Sequence, residues 1–199
     1  MAASSSRRYA MTAVAAALSI FLALCAIATP VRAAIGDPIY PTTLVQIYAV
    51  GPSQWVRRSA THSTSPVRAA DNIAQSQATL FLFEGGPANT PIPLTSGTIN
   101  LIDAFTMRPY CEPRNGVSGW FDTTLMCWDT SDGPWLRLVT ASSTVDTVLN
   151  SGDEVYILNM RNSRWCGAPT WPTNNAGLYC NYINVGSDNA VMRFRVYST

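Results

Sequence analysis

Few side chains in this sequence are able to do covalent chemistry. The one histidine, His62, stands in the run Thr61-His-Ser-Thr-Ser. Any Ser–His–Asp or Cys–His nucleophile would have to be built on it, and a run of small hydroxyl residues reads as a solvated loop, not as a place that holds an imidazole in register. Twelve carboxylates offer pairs for acid–base hydrolysis, but no pair stands out by its spacing within an apolar run. The stretch from Asp129 to Pro134 (DTSDGP) lacks the alternate-position acids of a calcium loop and reads as a turn before a strand. The expectation is a non-catalytic chain with no metal and no cofactor.

Aromatic residues beside amides and carboxylates point to binding instead. A flat ring stacks on the apolar face of a sugar, and a neighbouring amide or carboxylate holds the sugar's hydroxyls. Trp128-Asp129, Trp171 and the run Tyr179-Cys180-Asn181-Tyr182 supply that combination. They lie in or beside stretches rich in Gly, Pro and Asn, where function tends to sit on a rigid scaffold. Trp128, Asp129, Trp171, Tyr179, Asn181 and Tyr182 are therefore the candidate ligand contacts, expected to form one shallow site. The competing readings are plain rim aromatics or an interface with a partner protein.

Residues 1–33 stand apart. Arg7 and Arg8 precede the apolar run from Met11 to Ala28, Pro30 breaks it, and Val31-Arg32-Ala33 suits signal peptidase. This reads as a signal peptide removed before Ala34, with a retained membrane anchor as the alternative. Cys25 would leave with it. Residues 34–199 carry ten arginines, no lysine and twelve acids. A near-neutral, mildly acidic domain lacks the electrostatic footprint of a nucleic-acid binder or a polybasic membrane-surface protein. Four cysteines remain, Cys111, Cys127, Cys166 and Cys180, and an even number in an exported chain reads as disulfides with three possible pairings. A zinc site would need a CxxC or a nearby histidine, and neither is there.

The elements that must position these residues are β throughout. Short runs rich in Val, Ile, Tyr, Phe and Leu alternate with Gly, Pro, Asn, Asp and Ser clusters at intervals of about ten residues, the pattern of a barrel or sandwich. One helical turn is allowed, within Ala69 to Gln77. A period of 55 runs through the chain. It sets Leu94-Thr-Ser-Gly97 against Leu149-Asn-Ser-Gly152, places an aromatic at Trp55, Tyr110 and Trp165, and an isoleucine at Ile47, Ile102 and Ile157. With small slips, Leu125-Met-Cys127 matches Leu178-Tyr-Cys180, and Phe81-Leu-Phe83 matches Leu136-Arg-Leu138 and Met192-Arg-Phe194. The repeats run over about 41–86, 94–141 and 149–199, each as four short strands. In the third copy these are 155–159, 164–167, 177–182 and 191–197. Trp55, Tyr110 and Trp165, kept in register by all three units, are expected to form a core layer.

One four-stranded unit cannot bury its apolar face alone, whereas three around a common axis can. The expected architecture of residues 34–199 is thus all-β, a single β-trefoil with a pseudo-threefold axis, with a β-sandwich as alternative. Within it, Cys111 would pair with Cys127 and Cys166 with Cys180, neighbours on the second and third strands of a unit. The first copy has Val56 and Ala69 or Ala70 at those places, an apolar replacement suited to the core.

The cysteine placement resembles that of ricin-B-type lectin domains. Gly152-x-x-x-x-Ile157-x-Asn159 followed by Arg164-Trp-Cys166 is similar to trefoils of the wider ricin-B and fascin-like group. The chain departs from that pattern in having no Gln-x-Trp motif, and the acid expected after the first cysteine has only a loose match in Glu112. The resemblance implies the architecture and a lectin-like role. The functional expectation is a secreted binding module whose partner is a carbohydrate or an extracellular protein, with no nucleic acid and no membrane after signal cleavage. Its rival is a structural or assembly component of a matrix, wall or appendage acting through protein contacts.

Overall fold

The computed structural model describes residues 34–59, 65–69, 73–106, 110–115, 123–141, 147–168, 177–185 and 193–199. Twelve strands carry these residues: β1 (Val45–Ala49), β2 (Gln54–Arg58), β3 (Ser65–Ala69), β4 (Phe81–Glu84), β5 (Asn100–Asp103), β6 (Tyr110–Asn115), β7 (Thr123–Trp128), β8 (Leu136–Thr140), β9 (Glu154–Asn159), β10 (Arg164–Gly167), β11 (Tyr179–Tyr182) and β12 (Arg193–Ser198). A single 3₁₀ turn, Gln75–Gln77, falls within the stretch that allowed one. Among the described residues no helix is long and apolar enough to cross a membrane.

The chain is all-β and its strand pairings are antiparallel. Six strands pair in a closed cycle. β1 meets β4 at Val45↔Phe81, β4 pairs β5, a bridge Ile99↔Leu136 links the start of β5 to β8, β8 pairs β9, β9 pairs β12 and β12 pairs β1. Closure of this kind leaves the barrel without a free edge. The remaining strands form the hairpins β2–β3, β6–β7 and β10–β11.

Backbone contacts recur once per unit. At one end Ile39 N–H donates to Leu149, Leu149 to Ile92 and Ile92 to Ile39, each at 2.8 Å. At the other, Leu125 N–H donates to Leu178 and Leu178 to Val67, both at 2.8 Å, and the β3–β7 pairing closes that ring. Val45↔Phe81, Ile99↔Leu136 and Val155↔Phe194 are one contact repeated, and all six side chains are buried. Alternation along each strand sends Ile47, Leu101 and Ile157 inward beside them.

These registers correct three sequence matches. Ile102 is half-buried and pairs with Tyr110, while its neighbour Leu101 holds the core place of Ile47 and Ile157. Side chains alternate at a period of two, so a one-residue slip turns a side chain to the opposite face. Leu149 is answered in space by Ile92, two residues before Leu94. Phe194 answers Phe81, not Phe83, and Met192 lies outside the described residues. The aromatic match does hold in space, because Trp55, Tyr110 and Trp165 pair with Tyr48, Ile102 and Leu158. The three are not a core layer, however. Each is half-buried, and the next residue, Val56, Cys111 or Cys166, points inward.

The disulfides are Cys111–Cys127 and Cys166–Cys180, closing loops with separations of 16 and 14 residues. Both lie in the core, and in the first unit Val56 faces Ala69 at the same register.

Candidate functional site

Among the described residues, the candidate ligand contacts do not form one site. Trp128 ends β7 opposite Tyr110, and Tyr182 ends β11 opposite Trp165. These are the same cross-strand aromatic pair in two successive units, so they mark two equivalent places in place of the expected shared one. Asp129 and Asn181 are exposed. Tyr179 is half-buried between Thr124 and Gly167, four residues back along β7 from Trp128. Trp171 lies outside the described residues.

Trp128 is also partly covered. The Arg114 guanidinium lies 4.6 Å from its ring centroid. That guanidinium is held by Glu112 Oε1, by the Thr130 carbonyl at 3.2 Å and by Asp132 Oδ1 at 3.4 Å. A sugar stacking on this face would have to displace a cation–π contact. Glu112 is 2% exposed and faces Arg114, so it is not an acid turned toward a ligand.

A second place is built where one unit meets the next. Val50 N–H donates to the Arg193 carbonyl, Ala104 N–H to Leu80 and Met160 N–H to Trp135, which makes Leu80, Trp135 and Arg193 equivalent. At the end of β5 the Asp103 carboxylate accepts from Phe105 N–H at 3.2 Å. At the end of β9 the Asn159 amide oxygen accepts from Arg161 N–H at 3.0 Å. Phe105 and Arg161 are therefore equivalent as well.

The two junctions are filled differently. Between the second and third units the Arg161 guanidinium lies 4.5 Å over the Trp135 ring and reaches Asp132 Oδ2 at 3.4 Å. Between the first and second, Leu80 replaces the indole and Phe105 replaces the guanidinium. A cavity of about 340 Å³ opens there, lined by Arg58, Ala78, Thr79, Leu80, Asp103, Phe105 and Thr106. Its volume lies at the small end of ligand sites. Phe105 stands at the rim, 72% exposed. On the floor Arg58 Nη1 pairs with Asp103 Oδ2 at 3.2 Å, the acid being 3% exposed. Thr79 Oγ1 accepts from Arg58 N–H at 2.8 Å and keeps its own proton to donate. Pro113 and Ala168 stand where Arg58 would be in the other units.

This arrangement can hold a small ring with hydroxyls: a carboxylate accepts, a guanidinium and a hydroxyl donate, and apolar side chains flank them. Sequence reading missed Leu80, Asp103 and Phe105. The signal was the contrast of Leu80 with Trp135 and of Asp103 with Asn159, visible only once the closing strands are in their true register. Among the described residues no group of three or more His, Cys, Asp or Glu could hold a metal ion.

Several solved structures share the fold, and these neighbours are β-trefoil-like. A crystal structure of the lysenin pore matches at TM-score 0.55 and 15% identity, over 84% of this chain and 49% of that one. The SDF2-like protein from Arabidopsis thaliana matches at 0.58 and 12%, over 81% and 94%. A salivary protein of the Cysteine and Tryptophan-Rich family from Culex quiquefasciatus matches at 0.54 and 12%, over 83% and 100%. The chain thus spans about half the length of the lysenin chains it matches. No curated protein matches the sequence. A family model described as Domain of unknown function (DUF5888) matches residues 14–196.

Proposed function

We propose that this chain, which belongs to the DUF5888 family, is an extracellular, non-catalytic β-trefoil module that binds carbohydrate through the cavity between its first and second units. The closed six-stranded cycle, three hairpins and recurring backbone contacts support the trefoil. The leader-like residues 1–33 and the two disulfides support export. A complex of lysenin with phosphocholine and a botulinum neurotoxin type G receptor binding domain among the structural neighbours are consistent with a binding role.

One observation carries the ligand reading. Equivalent junctions of the same fold are plugged in one case and open in another, and the open one exposes a ring at its rim above a buried ion pair. The polar groups there are a carboxylate already paired with a guanidinium and two threonines, which suits holding hydroxyls better than activating a nucleophile.

The test rebuilds the plug. Leu80→Trp with Phe105→Arg copies the second junction into the first. On a glycan array followed by calorimetry, the wild-type domain binds a subset of glycans, and the double variant loses about tenfold or more in affinity while its melting temperature holds or rises. Trp128→Ala, which removes only the ring under Arg114, leaves affinity unchanged and destabilises the fold by about 1 kcal/mol. A wild-type protein silent across the array, or a plugged variant that binds normally, overturns the proposal.

A further inference from the structure

The outward face of β2, β1, β12, β9 and β10, adjacent in that order, carries a second pattern. Register places Trp55 opposite Tyr48, Tyr48 opposite Arg195, and Arg195 opposite Glu154. One row further, Arg193 faces Tyr156, whose ring lies 6.0 Å from that of Trp165. Trp55 packs edge-on to Tyr48 at 5.0 Å and tilted to Tyr197 at 5.5 Å. Their strand neighbours Ile47, Ala49, Phe194, Val196, Val155 and Ile157 are buried, so this set faces out. Trp55 and Trp165 are four strand spacings apart across the face, and along it Trp55 is level with Glu154 whereas Trp165 pairs with Leu158 further down β9.

The equivalent triads are not alike. Trp55-Tyr48-Arg195 corresponds to Tyr110-Ile102-Leu82 and to Trp165-Leu158-Arg137. Rings and charges are gathered where the third unit meets the first. The centre of the face is an ion-pair cluster: Glu154 accepts from Arg193 Nη1 at 3.1 Å and from Arg195 Nη2, and Arg195 Nη1 donates to the Tyr197 hydroxyl at 3.3 Å. Those bonds, Tyr197 first and Glu154 second, raise the pKa of Arg195 above its ordinary value. A cavity of about 530 Å³ adjoins it, walled by Ile35, Gly152, Asp153, Glu154, Arg195 and Tyr197.

We infer that this face is a platform for an extended, uncharged glycan chain. At the centre Arg193 and Arg195 balance Glu154 and Asp153, and exposed Arg57 on β2 leaves the face a single positive charge, too little to select an acidic polymer. Paired guanidinium, carboxylate and phenol groups supply donors and acceptors together, which is what a run of hydroxyls requires. Rings on the outer strands of the face supply stacking surfaces. The core of a protein interface is depleted in acidic side chains, and here Glu154 occupies the middle.

The inference rests on the carbohydrate reading of the preceding section but uses different residues, so the two fail separately. Residues 34–199 are run through native gels containing hydroxyethyl cellulose, galactomannan, xylan, polygalacturonate or heparin. At least one neutral polymer retards the wild-type domain, and retardation is unchanged from low salt to about 1 M NaCl. Trp55→Ala and Arg195→Gln each weaken it about tenfold, with circular dichroism confirming the fold. If Trp55→Ala does not fold, Tyr48→Ser takes its place. Leu82→Ala, at the place equivalent to Arg195 in another unit, leaves the retardation as it was. Retardation only by the charged polymers, none by any, or none of it lost in the platform variants overturns the inference. So does a self-association, seen by size exclusion, that Trp55→Ala abolishes. Any of these leaves the cavity reading intact if the array result stands.

Discussion

Phe194→Ala is expected to destabilise the domain by about 3–5 kcal/mol, measured as a shift in urea midpoint at constant slope. Phe194 is fully buried, opposite Val155 on β9 and Ala49 on β1, at one of the three repeated closure contacts of the barrel. Removing its ring takes away the burial of an aromatic and leaves a hole bounded by strands that are hydrogen-bonded in a closed cycle and have little freedom to collapse. Against a typical total of about 5–15 kcal/mol, that loss removes a large part of the margin. Leu82→Ala is the control. Leu82 lies one residue along from buried Phe81 but is only half-buried, and its truncation is expected to cost clearly less. A Phe194 variant no weaker than the Leu82 variant would mean that the barrel does not close as described.

The second large effect is a gain. Val56→Cys with Ala69→Cys installs in the first unit the bridge that the others carry, since Val56 faces Ala69 as Cys111 faces Cys127. On the chain-entropy model the oxidised variant is more stable by about 3 kcal/mol, less any strain. For a domain of this size that corresponds to a rise of about 6–12 °C in melting temperature. The comparison is made between the oxidised and reduced forms of the variant, with the native bridges intact in both. A third bridge that forms in the mass spectrum without raising the melting temperature, or two thiols that stay free under oxidising conditions, would contradict the shared register of the three hairpins.

That register shows where reading from residues alone works and where it stops. Both disulfides follow from the even cysteine count and their matched places in two units. The third copy's strands lie within two residues of expectation at each end. Ile102 and Leu94 were misplaced because a repeated letter at a fixed offset says nothing about an inserted residue in the loop between. In a strand one such residue exchanges inside for outside. Trp55, Tyr110 and Trp165 matched in space for the right reason and were given the wrong surroundings, since recurrence marks a shared place without saying which face of the sheet it is on.

The candidate site depended on contacts the linear order hides. Trp128 looked available as a stacking surface, but Arg114 from the neighbouring strand covers it. Leu80 and Phe105 drew no notice, because a leucine and a phenylalanine in a β-rich chain look like any others. Their meaning comes from Trp135 and Arg161, which fill the equivalent volume elsewhere. Composition, strand patterning and cysteine spacing determine that the chain folds as antiparallel β-hairpins stapled by disulfides, because burial needs and loop closure act on residue types at given separations. Which junction stays open, and which aromatics share a face, was decided only in three dimensions, because a cavity is the difference between neighbours that come from different units.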